Sequence, residues 1–184
     1  PKWMEVLQFS KKVAESNFSV MISGETGVGK ELIARRLHNL SLRSDKDCIV
    51  LNCAAFSEGL IESELFGYEA NSFTGAAPKG KDGWIGSADG GTLVLDEVAD
   101  LSSRAQATLL RAIESGELQK VGGKISKVDF RLISISNKPL IELVKEGKFR
   151  QDLYYRLAIV PLNIPPLRDR RMDIIPLAMH FLSK

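Results

Sequence analysis

The chain has 184 residues, which is long enough for one domain with a sizeable buried core. Its 44% hydrophobic and 26% charged residues are ordinary for a globular protein, and a net charge of +2 excludes a strong field for nucleic acid. Any DNA contact is therefore expected from a domain outside this chain. No apolar run approaches the roughly 18 residues that a membrane span needs, and no signal-peptide pattern opens the chain. Cys48 and Cys53 are too few ligands for a zinc site and read as buried thiols in or near a strand.

In chain order, strand-like runs alternate with helix-like runs, which predicts α/β organisation around a parallel sheet. Met4, Val6, Leu7 and Phe9 suit an opening helix. Residues 18–23 form a short apolar run that reads as a buried strand. Residues 30–40 follow with helical spacing at Leu32, Ile33, Leu37 and Leu40. A second strand is expected at 48–52 and a helix at 58–66, stopped by Gly67. Residues 68–83, rich in glycine and small side chains, read as a long loop. A third strand covers 92–95, and an amphipathic helix covers 104–114 with Ala105, Leu109, Ala112 and Ile113 on one face. Residues 117–128 read as a hairpin around Gly122-Gly123. Strands at 130–136 and 159–162 complete a five-stranded set. Pro165-Pro166 then breaks the chain, and a last helix is expected over 172–182.

Gly24-Glu25-Thr26-Gly27-Val28-Gly29-Lys30 fits the pattern G-x-x-x-x-G-K, and it lies between an expected strand and an expected helix. Glycines let backbone amides turn inward around phosphate oxygens, the helix start adds its positive end, and Lys30 is placed to reach the outer phosphates. Glu31 follows where serine or threonine is usual. Further on, Thr92-Leu93-Val94-Leu95 runs into Asp96-Glu97. Acids at the carboxyl end of a strand lie where open α/β sheets bind ligands. Asp96 suits a divalent cation, and Glu97 suits the orientation of an attacking water.

GETGVGKE, VLNCAAF, SELFGYEANSFTGA, GGTLVLDEV, RLISISN, FRQDLYYRL and PPLRDRRMDI stand in this order along nearly the whole chain. Together they resemble the central domain of sigma-54-dependent transcription activators, the NtrC-like group of AAA+ ATPases. That family tolerates glutamate after the lysine. The resemblance implies an AAA+ nucleotide-binding α/β core over 1–165 and the start of a helical lid over 166–184, with most of the lid absent from this chain. It implies ATP and Mg2+ as ligands, a homo-oligomeric ring, sigma-54 of the RNA polymerase holoenzyme as partner and a cytoplasmic setting.

The family's roles transfer where residues match. Asn52 resembles the switch residue that holds Glu97 in one state, and Asn137 resembles the first sensor. By spacing alone Arg150 and Arg156 read as ordinary surface arginines paired with Asp152 or Glu146, but in the motif context they resemble a pair of arginine fingers that reach the neighbouring subunit's active site. The family's contact loop reads GAFTGA. Here it is Asn71-Ser72-Phe73-Thr74-Gly75-Ala76, with Phe73 and Thr74 as the implied sigma-54 contacts and one glycine lost. That loss motivates a second reading, a nucleotide-gated oligomerisation switch with an impaired sigma-54 contact. Another AAA+ machine, such as a helicase loader, fits less well with Phe73-Thr74-Gly75-Ala76 intact. A second sensor arginine is expected in a fuller lid, so weak turnover is expected of these residues alone.

Overall fold

The computed structural model describes residues 2–72 and 78–183. In chain order its elements are α1 (Lys2–Ala14), β1 (Val20–Ser23), α2 (Lys30–Asn39), β2 (Cys48–Asn52), α3 (Glu58–Phe66), β3 (Gly67–Tyr68), β4 (Lys81–Asp82), α4 (Trp84–Ser87), β5 (Thr92–Asp96), α5 (Ser103–Ser115), β6 (Glu117–Gln119), β7 (Ile125–Lys127), β8 (Arg131–Ser136), α6 (Leu140–Lys145), α7 (Gln151–Leu157), β9 (Val160–Asn163) and α8 (Ile174–Leu182). Five strands pair in parallel in the order β2-β5-β8-β1-β9.

Both faces of this sheet are covered, and side-chain alternation divides each strand between two cores. Val20, Ile22, Val94, Ile133 and Ile135 pack with Val6 of α1 and with Ile33 and Leu37 of α2. Met21, Leu93, Leu95 and Leu132 pack on the other face with Leu109 of α5 and with Leu153 and Leu157 of α7. Every residue of β8 is buried, as suits a strand flanked by neighbours and covered on both sides.

Several expected details change. On α2 the buried stripe is Lys30, Ile33, Ala34, Leu37 and His38, whereas Leu32 is 70% exposed and Leu40 is 39% exposed. The stripe follows helical periodicity from Lys30, and Leu32 falls on the far side of it. On α1 Val6, Ser10 and Ala14 face inward, while Met4 and Phe9 are exposed. Phe18 and Ile159 lie outside their strands and are exposed.

The segment expected as one loop has a paired neck. Gly67 pairs with Asp82 and Tyr68 with Lys81. The neck needs glycine at both sides: a Cβ on Gly83 would strike Gly67 N and Phe66 C. The β6–β7 hairpin braces it, with Val121 N–H donating to Gly67 O at 2.9 Å and Glu69 N–H to Val121 O at 3.1 Å.

At the amino end of the sheet, Arg131 is 1% exposed and faces the carboxyl end of α1. Its Nη1 donates to Ala14 O at 2.8 Å and its Nη2 to Val13 O at 3.0 Å. Helix carbonyls left without intrahelical partners are thereby satisfied, and the cation meets the negative end of the helix. Burial, then the charge of Arg43, pulls its pKa below arginine's ordinary value. Nearby, His38 Nδ1 lies 2.9 Å from Thr92 Oγ1, and burial, then Arg131, lowers the imidazole pKa.

Two outcomes follow. Arg131→Met keeps bulk but strips the Ala14 carbonyl of its donor, and urea unfolding should report a loss of about 2 kcal/mol. A histidine with a depressed folded pKa stays neutral while the unfolded chain takes up its proton. Its contribution is present in full above about pH 6.5 and declines as pH falls below that value. The melting temperature should therefore drop between pH 7 and pH 5, and His38→Asn should make that drop shallower.

Candidate functional site

The sequence places its chemistry at strand ends, and the parallel register brings those ends to one edge. Ser23, the last residue of β1, pairs with Ser136, the last residue of β8. On the next strands Leu95 pairs with Ser134 and Asn52 with Asp96. The loop after β1, the acid pair after β5 and Asn137 after β8 therefore share the carboxyl edge of the sheet, with β8 between the other two strands.

The loop from Gly24 to Gly29 wraps around the amino end of α2. Gly27 and Gly29 have φ of 81° and 97°, in the left-handed region that glycine enters without strain. Lys30 is 8% exposed, and its Nζ donates to Gly24 O and Glu25 O at 3.0 Å each. The ammonium is thus held over the loop by the loop's own carbonyls. Glu25 turns outward to Arg168, whose Nη1 lies 2.7 Å from Oε2, and this hydrogen bond holds its carboxyl below the usual range. Arg170 donates to Val28 O at 2.8 Å and stacks 4.5 Å from the Trp3 ring centroid. Glu31 pairs with Arg35 one turn along α2, with Nη2 to Oε1 at 2.8 Å.

Asp96 and Glu97 behave differently from each other. Asp96 Oδ1 accepts the Glu97 amide at 3.0 Å. Glu97 itself has φ 53° and ψ 47°, a left-handed conformation that is uncommon for a side-chain-bearing residue and concentrates at functional sites. Among the described residues no lysine or arginine pairs with either acid. Their charge is felt by Cys53, whose thiol is pushed up to about 12, first by burial and then by Asp96, Asp100 and Glu97. An acid pair without a basic partner, linked through Asn137 to a glycine loop at the start of α2, fits a divalent cation together with a phosphate chain.

Asn137 joins the two halves. Its amide donates to Glu97 Oε2 and its Nδ2 to Thr26 Oγ1, each at 3.5 Å. Asn52 stands beside Asp96 in register, but its Oδ1 accepts the Ala54 amide at 2.9 Å and makes no bond to Glu97.

Arg150 just before α7 and Arg156 in its last turn do not join this site. Arg150 Nη2 pairs with Asp152 at 2.7 Å, one of the partners that spacing alone offers, and Arg156 Nε pairs with Glu114 at 2.9 Å. Arg156 also lines a cavity of about 290 Å³ with Ser19, Phe130 and Ile159, beside the amino ends of β1, β8 and β9 and so across the sheet from Lys30. Phe73 and Thr74 lie outside the described residues.

Sequence reasoning passed over Arg168 and Arg170, although both stand in the quoted PPLRDRRMDI segment. It also passed over Gln106, a polar residue inside the apolar stripe of α5 and 1% exposed. The signal for Gln106 was its position: one residue from Ala105 and three from Leu109, it shares their buried face.

Among the described residues no helix is long and apolar enough to cross a membrane. Comparison with known proteins agrees with the geometry. The chain is 53% identical to the transcriptional regulatory protein ZraR of Klebsiella oxytoca over 94% of this chain and 39% of that protein. A crystal structure of NtrX from Brucella abortus matches with a TM-score of 0.92 and 38% identity, over 98% of this chain and 41% of that one. NtrX in complex with ATP matches with a TM-score of 0.90 and 37% identity, over 98% of this chain and 39% of that one. The chain thus spans about two fifths of the length of these relatives. The Sigma-54 interaction domain model matches residues 1–163, and the chain belongs to that family, with the fold of an AAA+ P-loop ATPase.

Proposed function

We propose that this chain is the Mg-ATP-hydrolysing core of a ring-forming, cytoplasmic transcription activator that acts on the sigma-54 RNA polymerase holoenzyme. The observation that carries the reading is the bridge made by Asn137 between Thr26 of the glycine loop and Glu97 of the acid pair. One residue touching both would register whether a terminal phosphate is present between them. The ATP complex of NtrX, a relative of the same fold, supports the choice of nucleotide.

In this reading the amides from Gly24 to Lys30, with Glu31 following, cradle the phosphates, and Lys30 exchanges its loop carbonyls for phosphate oxygens. Asp96 would hold Mg2+, which when bound offsets phosphate charge. Glu97 orients the attacking water and accepts its proton, while Asn137 fixes the water and Asn52 retains Glu97 in one of its states. Arg150 and Arg156 act in the neighbouring subunit, where a guanidinium offsets charge on the transferring phosphoryl group. Their placement on α7, with Arg156 across the sheet from Lys30, supports action in trans. The segment 166–184 is read as the start of a lid, anchored on the glycine loop by Arg168 and Arg170. Phe73 and Thr74 are the proposed sigma-54 contacts.

The loop's departure from GAFTGA bears on the rival switch reading. Asn71 has φ 58°, and asparagine is among the side-chain-bearing residues that best tolerate this region. The backbone there follows a course open to glycine, which favours the activator.

Two experiments test these readings on the intact protein. Glu97→Gln should leave ATP affinity within about twofold and lower turnover by at least about 100-fold; turnover equal to the parent would remove Glu97 from the role. Capture of sigma-54 in the presence of an ATP transition-state analogue should succeed. No capture, under conditions that trap a related activator, would favour the switch.

A further inference from the structure

The side chain of Gln106 occupies the centre of a buried three-way junction. Its Nε2 donates to Leu101 O at 2.9 Å and to Lys148 O at 3.2 Å, and its Oε1 accepts the Arg150 amide at 2.8 Å. Two carbonyls on one end and one N–H on the other fix which way the amide points. No side chain of different chemistry satisfies all three, since glutamate lacks the donors and methionine lacks both functions.

What these three bonds connect is the point. Leu101 closes the turn that follows the acid pair: Asp100 N–H donates to Glu97 O at 3.0 Å and Leu101 N–H to Val98 O at 3.3 Å. Arg150 is the residue just before α7 and its amide is outside the helix ladder. Hydrogen bonds from Val98 through Leu101 and Gln106 to Arg150, with the peptide bond between Glu97 and Val98, therefore connect the acid pair to the start of α7. At 1% exposure Gln106 is shielded from water that would replace a lost bond. In the same segment Phe149 is 3% exposed and packs in the core cluster that includes Ala105 and Leu109 of α5, so side chain and backbone both anchor residues 148–150.

We infer that Gln106 is a positioning residue for Arg150, setting where that guanidinium is presented to the neighbouring subunit. The inference rests on the reading of Arg150 as a finger acting in trans. The Arg150 side chain pairs locally with Asp152, so its reach depends on where the backbone at 150 sits, and Gln106 sets that. A shift of about 1 Å in a transition-state contact is enough to cost one to two orders of magnitude in rate.

The test uses mixed rings of the intact protein. One subunit carries Arg150→Ala and Arg156→Ala, so it has an active site without fingers. The other carries Glu97→Gln, so it offers fingers without turnover. Mixing them should restore hydrolysis; absence of restoration overturns the finger reading itself. Gln106→Met is then added to one subunit at a time. On the finger-donating subunit it should lower the restored kcat about 10-fold with KM for ATP within about twofold. On the finger-accepting subunit it should lower kcat no more than about twofold. Gln106→Glu, which keeps the acceptor for the Arg150 amide, should fall between Gln106→Met and the parent as a donor. Equal loss in both positions would mean that Gln106 only supports the fold, and no loss in the donor would mean that Arg150 is placed by other groups. Either result, with restoration intact in the unmodified mixture, overturns the inference while leaving the finger reading standing.

Discussion

The parallel ladder through β5, β8 and β1 carries everything built at its carboxyl edge. Leu95 is level with Ser134, and Ile22 and Ser23 with Ile135 and Ser136, so the three chains leave the sheet within a residue or two of one another. A slip of one residue would turn every side chain of a strand to the opposite core and also move its strand end relative to its neighbours. Burial on both faces forbids the slip. The distances between Lys30, the acid pair and Asn137 are thus consequences of core packing, and the site needs no separate device to hold its halves together.

Within that frame the charges are arranged unevenly. Three cations near the loop are occupied: Lys30 by carbonyls, Arg168 by Glu25, Arg170 by Val28 O and Trp3. The acids at Asp96 and Glu97 have no basic partner among the described residues. Carboxylates without a basic partner beside a loop whose lysine is held only by carbonyls suit the joint arrival of a cation and an anion, which the proposed metal-bound triphosphate would provide. The left-handed backbone of Glu97 adds local strain at the residue that is proposed to move. α5 links this edge to the outside of the molecule. Gln106 holds the backbone at 150 and Glu114 holds the side chain of Arg156, so both arginines are tethered to the same helix.

Legibility in the sequence followed the range of the interactions. The strand at 48–52 and the helix at 58–66 matched to the residue, because apolar runs and glycine stops are local signals. The faces of α1 and α2 were less legible. Leucine at position 32 and methionine at position 4 are apolar, yet they are exposed, because which side of a helix meets the sheet is settled by packing. The neck of the 68–83 segment was hidden too, since two-residue strands pair across a long gap and leave no periodic trace. At the site, glycine, lysine and paired acids announced themselves by spacing. Arg168 and Arg170 gave no such signal, because each acts on the glycine loop about 140 positions away; the spacing of Gln106 showed its burial but not its partners.

The five sheet strands, the longer helices, the parallel α/β class and the phosphate and cation motifs were all readable from the amino acids alone, because these depend on local periodicity and on the chemistry of adjacent residues. The folded chain was needed to show which strand stands between β1 and β5, that Asn137 bridges Thr26 to Glu97, and that a single buried glutamine ties the acid turn to Arg150. Those facts depend on contacts between residues 40 or more positions apart, whose pairing is selected by how both faces of one sheet are filled.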